Sequence, residues 1–446
     1  MKFFRIFHNH FPAGFGILLS TAAVALASLL LVGATHAQVP APALEALTLR
    51  AAEALFLERN RELQAARRAI EGAEADVIIA SARPNPNLSF STASLSRALG
   101  AGSPLDKRID TIVGLSQVFE RGNKAGLRTE TAQSIANAVR SDERDVERQQ
   151  RVVLHGAYYD LLQAQEKLRI VGETATLFQK SVDALNLRLK AGDVAAVDVS
   201  RMSVDALRAR NDERGAQADI EKAQSALAYL IGADRDAARL RAADNWPVVE
   251  KLDLQTADAI IDARPDLQAA QARVAAADKN RDLARALRTR DITAGVQIER
   301  FPGNDPRNSA GFNVSVPLFT RYYYDGEIRR AEADFAAAQD NLQRVRALAA
   351  AELRKAASDV ASSAERVQRL REVLLAAAEK AAQGAEFAYS RGAIGVMDVL
   401  DARRQLTATR LEAVAVQADY AKALAAWRAA TASRQKYSRR TRGRSV

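Results

Sequence analysis

The side chains that most often carry out chemistry are scarce in this sequence of 446 residues. It has no cysteine and 4 histidines, of which His8, His10 and His36 lie in an N-terminal leader. The absence of cysteine excludes disulfides, thiol nucleophiles and thiolate metal sites. His155 lies in a predicted helix, where a single histidine is more often a packing or surface residue than a ligand. We therefore expect no zinc or copper site of the usual ligand types, and no cofactor.

Catalytic motifs are also missing. The glycine-rich stretch "GAGSPLDK" lacks the Lys-Ser/Thr ending of a phosphate-binding loop, and a surface turn explains it. No combination of nucleophile, base and orienting residue appears at a spacing that indicates catalysis. The sequence therefore predicts a protein that is not an enzyme.

Two groups of carboxylates lie near predicted helix ends. Asp183, Glu379 and Glu386 could face a bore and form threefold rings that favour cations and hold a constriction. Solvated helix faces would explain these three residues equally well. Asp198 and Asp398 lie in the first turn of a helix, where a carboxylate complements the positive end of the helix dipole.

The elements around these carboxylates occur twice. The stretch "RLKAGDVAAVDVSR" at Arg188 to Arg201 matches "YSRGAIGVMDVLDAR" at Tyr389 to Arg403, so that Gly192 aligns with Gly392 and Asp198 with Asp398. Similarly, "RELQAARRA" matches "PDLQAAQAR" 204 positions later. We interpret the chain as two tandem repeats of about 200 residues.

The N-terminus has the pattern of a secretory signal peptide. Lys2 and Arg5 precede an apolar run from about Ala13 to Ala34, and "ATHAQ" offers Ala37 as the last residue before cleavage. The run is also long enough for an uncleaved inner-membrane anchor, which is the alternative. The formal net charge is +10, and the tail "RQKYSRRTRGRSV" carries much of it. This tail could bind an anionic surface or be a solvated end; we expect no nucleic-acid partner.

Each repeat contains a very long helical segment without proline. Apolar residues recur at steps of three and four from Ala331 to Leu374, the pattern of a helix packed along one seam. The matching segment, Lys124 to Lys190, would be about 100 Å long. Each long helix ends at the repeated glycine motif, which predicts the tip of an antiparallel helical hairpin. Apolar side chains at these tips indicate a surface covered by a partner: Val194, Val197, Ile394 and Met397.

Short segments with a period of two precede each long helix. Leu88, Phe90 and Thr92 share one strand face, and Ala294, Val296 and Ile298 share another. Ordinary surface hairpins would have this pattern, but runs of about ten residues also match membrane-spanning β-strands. Four strands cannot close a membrane barrel, whereas three protomers would contribute twelve.

These patterns divide the chain as follows. We expect a signal peptide at 1–37, a first repeat at 38–235 with a β-hairpin at about 87–119, a linker at 236–255, a second repeat at 256–432 with a β-hairpin at about 291–320, and a basic tail at 433–446.

Several motifs, in this order and spacing, resemble the TolC family of outer-membrane efflux ducts. They are "RPNPNLSF", "GLSQVFERGNKAGLR", "VSVPLF" and the two "G-x-[VI]-x-x-x-D-V" tips. The first two are most similar to the heavy-metal, CzcC-like branch. That branch has Gly-Gly-Lys-Arg where this chain has Gly122-Asn123-Lys124-Ala125.

The resemblance implies a mainly α-helical fold with a membrane β-barrel part. Three protomers would form a homotrimer with a twelve-stranded barrel in the outer membrane and an α-helical barrel through the periplasm. The tips would contact a periplasmic adaptor (a membrane fusion protein) that connects to an inner-membrane pump, of RND type, and the duct would export metal cations or other small molecules passively. Tyr322, Tyr323 and Tyr324 would anchor the barrel at the lipid interface, or form a packing cluster. The alternative function is a non-channel periplasmic coiled-coil spacer or adaptor.

Overall fold

The computed structural model describes residues 44–93, 110–250, 258–301 and 307–431. The predicted signal peptide, both hairpin turns, the end of the linker and the basic tail lie outside these residues. The described chain is mainly α-helical and has a four-stranded antiparallel sheet, which confirms the predicted fold class. Its helices are α1 Leu49–Arg59, α2 Arg61–Ser81, α3 Lys124–Ala191, α4 Ala196–Ile231, α5 Asp258–Asp262, α6 Pro265–Ala286, α7 Asp325–Arg369, α8 Leu375–Ser390 and α9 Val396–Thr431. The strands are β1 Asn87–Ala93, β2 Asp110–Phe119, β3 Ile292–Phe301 and β4 Arg307–Ser315.

The 68-residue helix α3 agrees with the predicted long helix of the first repeat. At 1.5 Å per residue it is about 100 Å long. It ends at Gly192, whose φ of 81° lies in the left-handed region. The Asp193 N–H donates to the carbonyl of Arg188, so the last turn is closed in the way that glycine permits.

The second long helix is not continuous. A π-helical turn, Leu370–Leu374, separates α7 from α8. A π turn accommodates an extra residue and so changes the face that the following side chains occupy. Leu370 is accordingly 6% exposed, whereas Leu374 is 46% exposed. The predicted apolar seam therefore ends at Leu370, and its extension to Leu374 was wrong.

Both helices that enter a repeat are broken at equivalent positions. Asn60 is extended, its side chain accepts from the Leu63 N–H at 3.1 Å, and it donates to the Leu230 carbonyl at 3.1 Å. At the corresponding break, Pro265 disfavours helical backbone at Arg264, so α6 begins at the proline. Periodicity alone does not reveal these breaks, because it does not show a buried cap such as Asn60.

A small non-helical structure follows the first repeat. It consists of the 3-10 turn Asp234–Arg239 and a parallel bridge between Leu47 and Ala242. The Tyr158 hydroxyl lies 2.9 Å from both the Leu47 carbonyl oxygen and an Asp244 carboxylate oxygen. That carboxylate also accepts from the Leu49 N–H at 2.6 Å, at the start of α1. Burial raises the pKa of Tyr158, so the hydroxyl keeps the proton this arrangement needs.

The helices form one layer. Helix α3 packs against α2 and α4 and also against α6 and α9, and these last two pack against α7. The order across the layer is therefore α2 with α4, then α3, then α6 with α9, then α7 with α8. Apart from the short helices α1, which contacts α2 and α4, and α5, which contacts α6 and α7, no helix of the described chain borders the side formed by α2 and α4 or the side formed by α7 and α8. We call these the two free sides.

The sheet has the order β1-β2-β3-β4, with every neighbouring pair antiparallel. All four strands join helices at the same end of the sheet, which we call the helical end. In the described part of the chain, the outer edges of β1 and β4 have no partner strand. Across those same residues, no helix combines the length and the apolar character needed to cross a membrane.

Candidate functional sites

One face of the sheet is apolar across all four strands. Phe90 pairs with Val113 and Val113 with Ile298, while Val296 pairs with Phe312. These side chains are exposed, as are Leu88, Leu115 and Val314 on the same face. On the opposite face, Ser89 pairs with Gly114, Gly114 with Gln297, and Gln297 with Gly311. Apolar residues on one face and polar residues on the other are typical of strands that separate lipid from a water-filled interior.

A buried lysine holds the helical end of the sheet to the helices. The Lys124 ammonium donates to the Thr289 carbonyl at 2.7 Å and to the Asp291 carboxylate at 2.9 Å. The Arg121 N–H donates to the same carboxylate at 2.9 Å. Burial would raise the pKa of Asp291, but these donors hold it below its ordinary value. The "RGNK" segment therefore positions the sheet on the helices.

Two of the three tyrosines after β4, Tyr322 and Tyr324, pack against each other. Tyr324 has a φ of 62° and packs edge-to-face against Phe319, with ring centroids 5.3 Å apart. The ring centroids of Tyr322 and Tyr324 are 5.9 Å apart, and the Tyr322 hydroxyl oxygen accepts from the Gly326 N–H at 3.1 Å. Tyr322 and Tyr323 are half-exposed. Tyr322 and Tyr324 therefore pack as one of the two predicted roles requires, and membrane anchoring stays a prediction.

The two hairpin tips share a backbone conformation but differ in capping. Gly192 and Gly392 both have positive φ, and a Cβ at either would meet no atom within 4 Å. Glycine is therefore favoured at both positions because of the positive φ, and not because a larger side chain would clash with a neighbour. The Asp398 carboxylate accepts from the Gly395 N–H at 3.0 Å, which caps α9. Asp198 holds the same position in α4, where its own N–H donates to the Ala195 carbonyl.

The apolar tip residues are not equally accessible. Val194 and Met397 pack against a core that contains Phe178, Val182 and Met202. Val197 is exposed, and Ile394 is partly buried. Of the four apolar tip residues, Val197 therefore offers the most free surface to a partner.

The three predicted gate carboxylates have different surroundings. Glu379 lies 3.4 Å from the Arg410 guanidinium, and Glu386 forms an ion pair with Arg403, so both are neutralised by helix α9. Asp183 is exposed and accepts from the Gln179 amide at 3.0 Å. Asp183 alone of the three has no basic partner within the described chain.

Sequence reasoning missed two contacts that join the tip hairpins. The buried Asp205 on α4 forms an ion pair with Arg404 on α9, and Arg404 also contacts Asp401 at 2.6 Å. The Arg188 guanidinium donates to the Tyr389 hydroxyl at 2.7 Å. The sequence did contain a signal for Asp205, which is an acidic residue at a position on the buried side of its helix.

His155 lies beside a carboxylate that also contacts an arginine. Its Nε2 lies 2.7 Å from Glu53, and Arg151 lies 3.5 Å from the same carboxylate. Burial would raise the pKa of Glu53, but His155 and Arg151 hold it below its ordinary value. Across the described ranges, no three metal-ligating side chains come together.

Comparisons with known proteins agree with this architecture. The model of the family described as "Outer membrane efflux protein" matches residues 54–233 and 257–433. The cobalt-zinc-cadmium resistance protein CzcC of Cupriavidus metallidurans is 25% identical over an alignment of 387 residues, which covers 84% of this chain and 88% of that protein.

Two solved structures have the same fold. The CmeC outer membrane channel of Campylobacter jejuni has a TM-score of 0.75 at 17% identity, covering 86% of this chain and 85% of CmeC. The outer membrane protein VceC of Vibrio cholerae has a TM-score of 0.70 at 20% identity, covering 86% of this chain and 95% of VceC. The chain belongs to the outer membrane efflux protein family. It is therefore an outer-membrane protein.

Proposed function

We propose that the chain forms a homotrimeric duct that carries efflux substrates across the outer membrane. The observation that supports this most directly is the two-faced sheet with two unpaired edges. A protomer with different surfaces on its two sides can close head to tail into a ring. Three copies would join β4 of one protomer to β1 of the next and so give twelve strands, above the minimum of eight for a membrane barrel.

The helical layer supports the same closure. Its two free sides correspond to the two sheet edges, because α2 precedes β1 and α7 follows β4. Large apolar side chains are exposed on helices of both free sides: Ile78, Ile79 and Val204 on one and Leu348 and Phe387 on the other. Burying such surface is the main favourable contribution to assembly. In the trimer, the layer would become a helical barrel of twelve columns.

We also propose partners for the tips. Val197 and the turns around Gly192 and Gly392 would contact a periplasmic adaptor, and an inner-membrane pump would supply the energy of transport. Val194, Ile394 and Met397 would support the docking turn from within. Asp198 and Asp398 would stabilise the helix ends that carry it.

Metal cations are the substrate class that the relative CzcC favours for this chain. Asp183 is our candidate for a carboxylate that faces the bore, because Glu379 and Glu386 are already paired. The tyrosines Tyr322 to Tyr324 would lie at the lipid interface. No step in this function requires the chain to make or break a covalent bond.

Single-channel conductance tests the proposal. The purified mature protein would be reconstituted in planar bilayers, and its trimeric state would be checked in mild detergent. We expect discrete conducting steps from a trimer, and a lower conductance on adding divalent cations. A correctly refolded protein that remains a monomer and does not insert would instead favour the periplasmic spacer or adaptor.

A further inference from the structure

An arginine lies at the helical end of every strand. Arg83 precedes β1, Arg121 follows β2, Arg290 precedes β3 and Arg321 follows β4. We call these four residues the rim arginines. The half of the sheet next to them contains only uncharged residues: 87–90, 114–119, 292–297 and 311–315. On β2 and β3 the first charged residues beyond the sheet are Glu120 and Asp291, and Arg128 and Lys124 neutralise these two carboxylates. The charge that remains next to the uncharged half of the sheet is therefore that of the rim arginines.

The rim arginines differ from the basic residues inside the junction. Lys124 is paired with Asp291, Arg128 with Glu120 and Arg288 with Asp325. By contrast, Arg83, Arg121 and Arg321 are exposed, and in the described chain their guanidinium groups have no acidic partner. The positive charge that the fold leaves unneutralised at this level is therefore on the rim.

Apolar and aromatic surface accompanies this charge. The Arg290 guanidinium lies 5.4 Å from the Phe319 ring centroid, in a cation–π contact. Phe119, Leu318 and Tyr323 are exposed at the same end of the sheet. A ligand for this surface must combine negative charge with an adjoining apolar part.

We propose that the rim arginines bind the phosphate groups of anionic phospholipids in the membrane leaflet next to the helices. This inference rests on the proposed membrane insertion of the sheet. Arginine recognises phosphate through paired, charge-assisted hydrogen bonds. The acyl chains would lie against the apolar face of the sheet, so one lipid molecule satisfies both parts of the surface. A free phosphate ion would satisfy only the charge.

The test is a lipid titration of the mature protein in mild non-ionic detergent. The thermal unfolding midpoint is followed while phosphatidylglycerol, phosphatidylcholine or inorganic phosphate is added. The test variant is R83Q/R121Q/R321Q, which leaves Arg290 on Phe319. The control variant is R201Q/R214Q/R354Q, which removes three exposed arginines without a partner in the described chain, all on α4 and α7.

We expect phosphatidylglycerol to stabilise the wild type and the control at lower concentrations than phosphatidylcholine does. The test variant should need at least about tenfold more phosphatidylglycerol, because each surface arginine contributes measurably to binding an anionic bilayer. Its response to phosphatidylcholine should be unchanged. If the test variant does not fold, Arg83→Gln alone should raise the required concentration about threefold, since Arg83 lies outside the helices and strands.

Several results would overturn the inference. These are an equal response of the wild type to both lipids, an equal loss in the control variant, a wild-type response in the test variant, or full stabilisation by inorganic phosphate alone. Flotation with vesicles of each lipid separates this from failure of the proposed function. Protein that inserts into both kinds of vesicle but does not discriminate contradicts the lipid site alone, whereas protein that inserts into neither contradicts membrane insertion.

Discussion

At the scale of single residues, the turn before each long helix requires left-handed backbone. Asn123 has a φ of 55° before α3, and Tyr324 has a φ of 62° before α7. Asparagine adopts this region readily, whereas a bulky aromatic residue seldom does. In the first turn, the dipeptide "GN" is a sequence signal for left-handed backbone. The second turn carries no such signal, because the conformation of Tyr324 is held by its packing against Phe319 and Tyr322.

Gly122 should be the residue in this turn that tolerates substitution least. Its φ is +71°, and an added Cβ would lie 2.9 Å from the Thr289 Cβ. We expect Gly122→Ala to lower the free energy of unfolding by about 1–3 kcal/mol, measured by thermal or denaturant unfolding. Gly72→Ala is the control, because that helical glycine has no neighbour within 4 Å and alanine favours the helix. Equal destabilisation by both substitutions would contradict this assignment.

At the scale of elements, the sequence predicted what depends on local periodicity. The seam of threes and fours predicted helix α7, the matching segment without proline predicted helix α3, and the two glycine tips predicted the helical hairpins. The breaks at Asn60 and Arg264 and the π turn at Leu370–Leu374 were missed. Each depends on contacts or geometry beyond the local pattern, such as the bond from Asn60 to the Leu230 carbonyl. The tip glycines were recognised, but the arginines that neutralise Glu379 and Glu386 were not, because pairing between helices depends on their register.

The contact between α4 and α9 near the tips leads to a prediction about these elements. Asp205 is 9% exposed at its side chain and pairs with Arg404, 199 positions away. Replacing Asp205 by alanine removes the contact of Arg404 with α4 but leaves Asp401 as its partner, so we expect the free energy of unfolding to fall by about 1–2 kcal/mol. Hydrogen exchange should become faster in peptides from the tip ends of both α4 and α9.

The matched control for this prediction is Glu365→Ala. Glu365 and Arg369 form a pair within α7 in which both side chains are 70% exposed. Exposed pairs of this type contribute less than about 1 kcal/mol. Faster exchange confined to α4 in the Asp205→Ala variant would show that the pair does not join the two hairpins.

At the scale of the whole molecule, the internal repeat carried most of the information. It predicted two β-hairpins and two helical hairpins at equivalent positions, and the family match spans both repeats. The order of the helices in the layer was not readable, because the repeat does not specify which side of α3 each partner takes. The surfaces through which three protomers would meet depend on this helix order, so the sequence alone does not reveal them either.

The free side formed by α2 and α4 provides the decisive test of closure. Val204 lies between the buried residues Met202 and Ala206, and therefore on the side of α4 opposite to α3. It is 47% exposed, and Val153 on the central helix α3 is 50% exposed. We expect Val204→Lys to shift the monomer–trimer equilibrium toward monomers at least about tenfold, because a lysine would be buried without a partner at each protomer contact. Val153→Lys adds the same charge to the central helix α3, which already packs against helices of its own protomer on both sides, and should leave the trimer intact, as measured by light scattering in mild detergent. A trimer that survives Val204→Lys unchanged would show that the protomers do not meet along this side of α4.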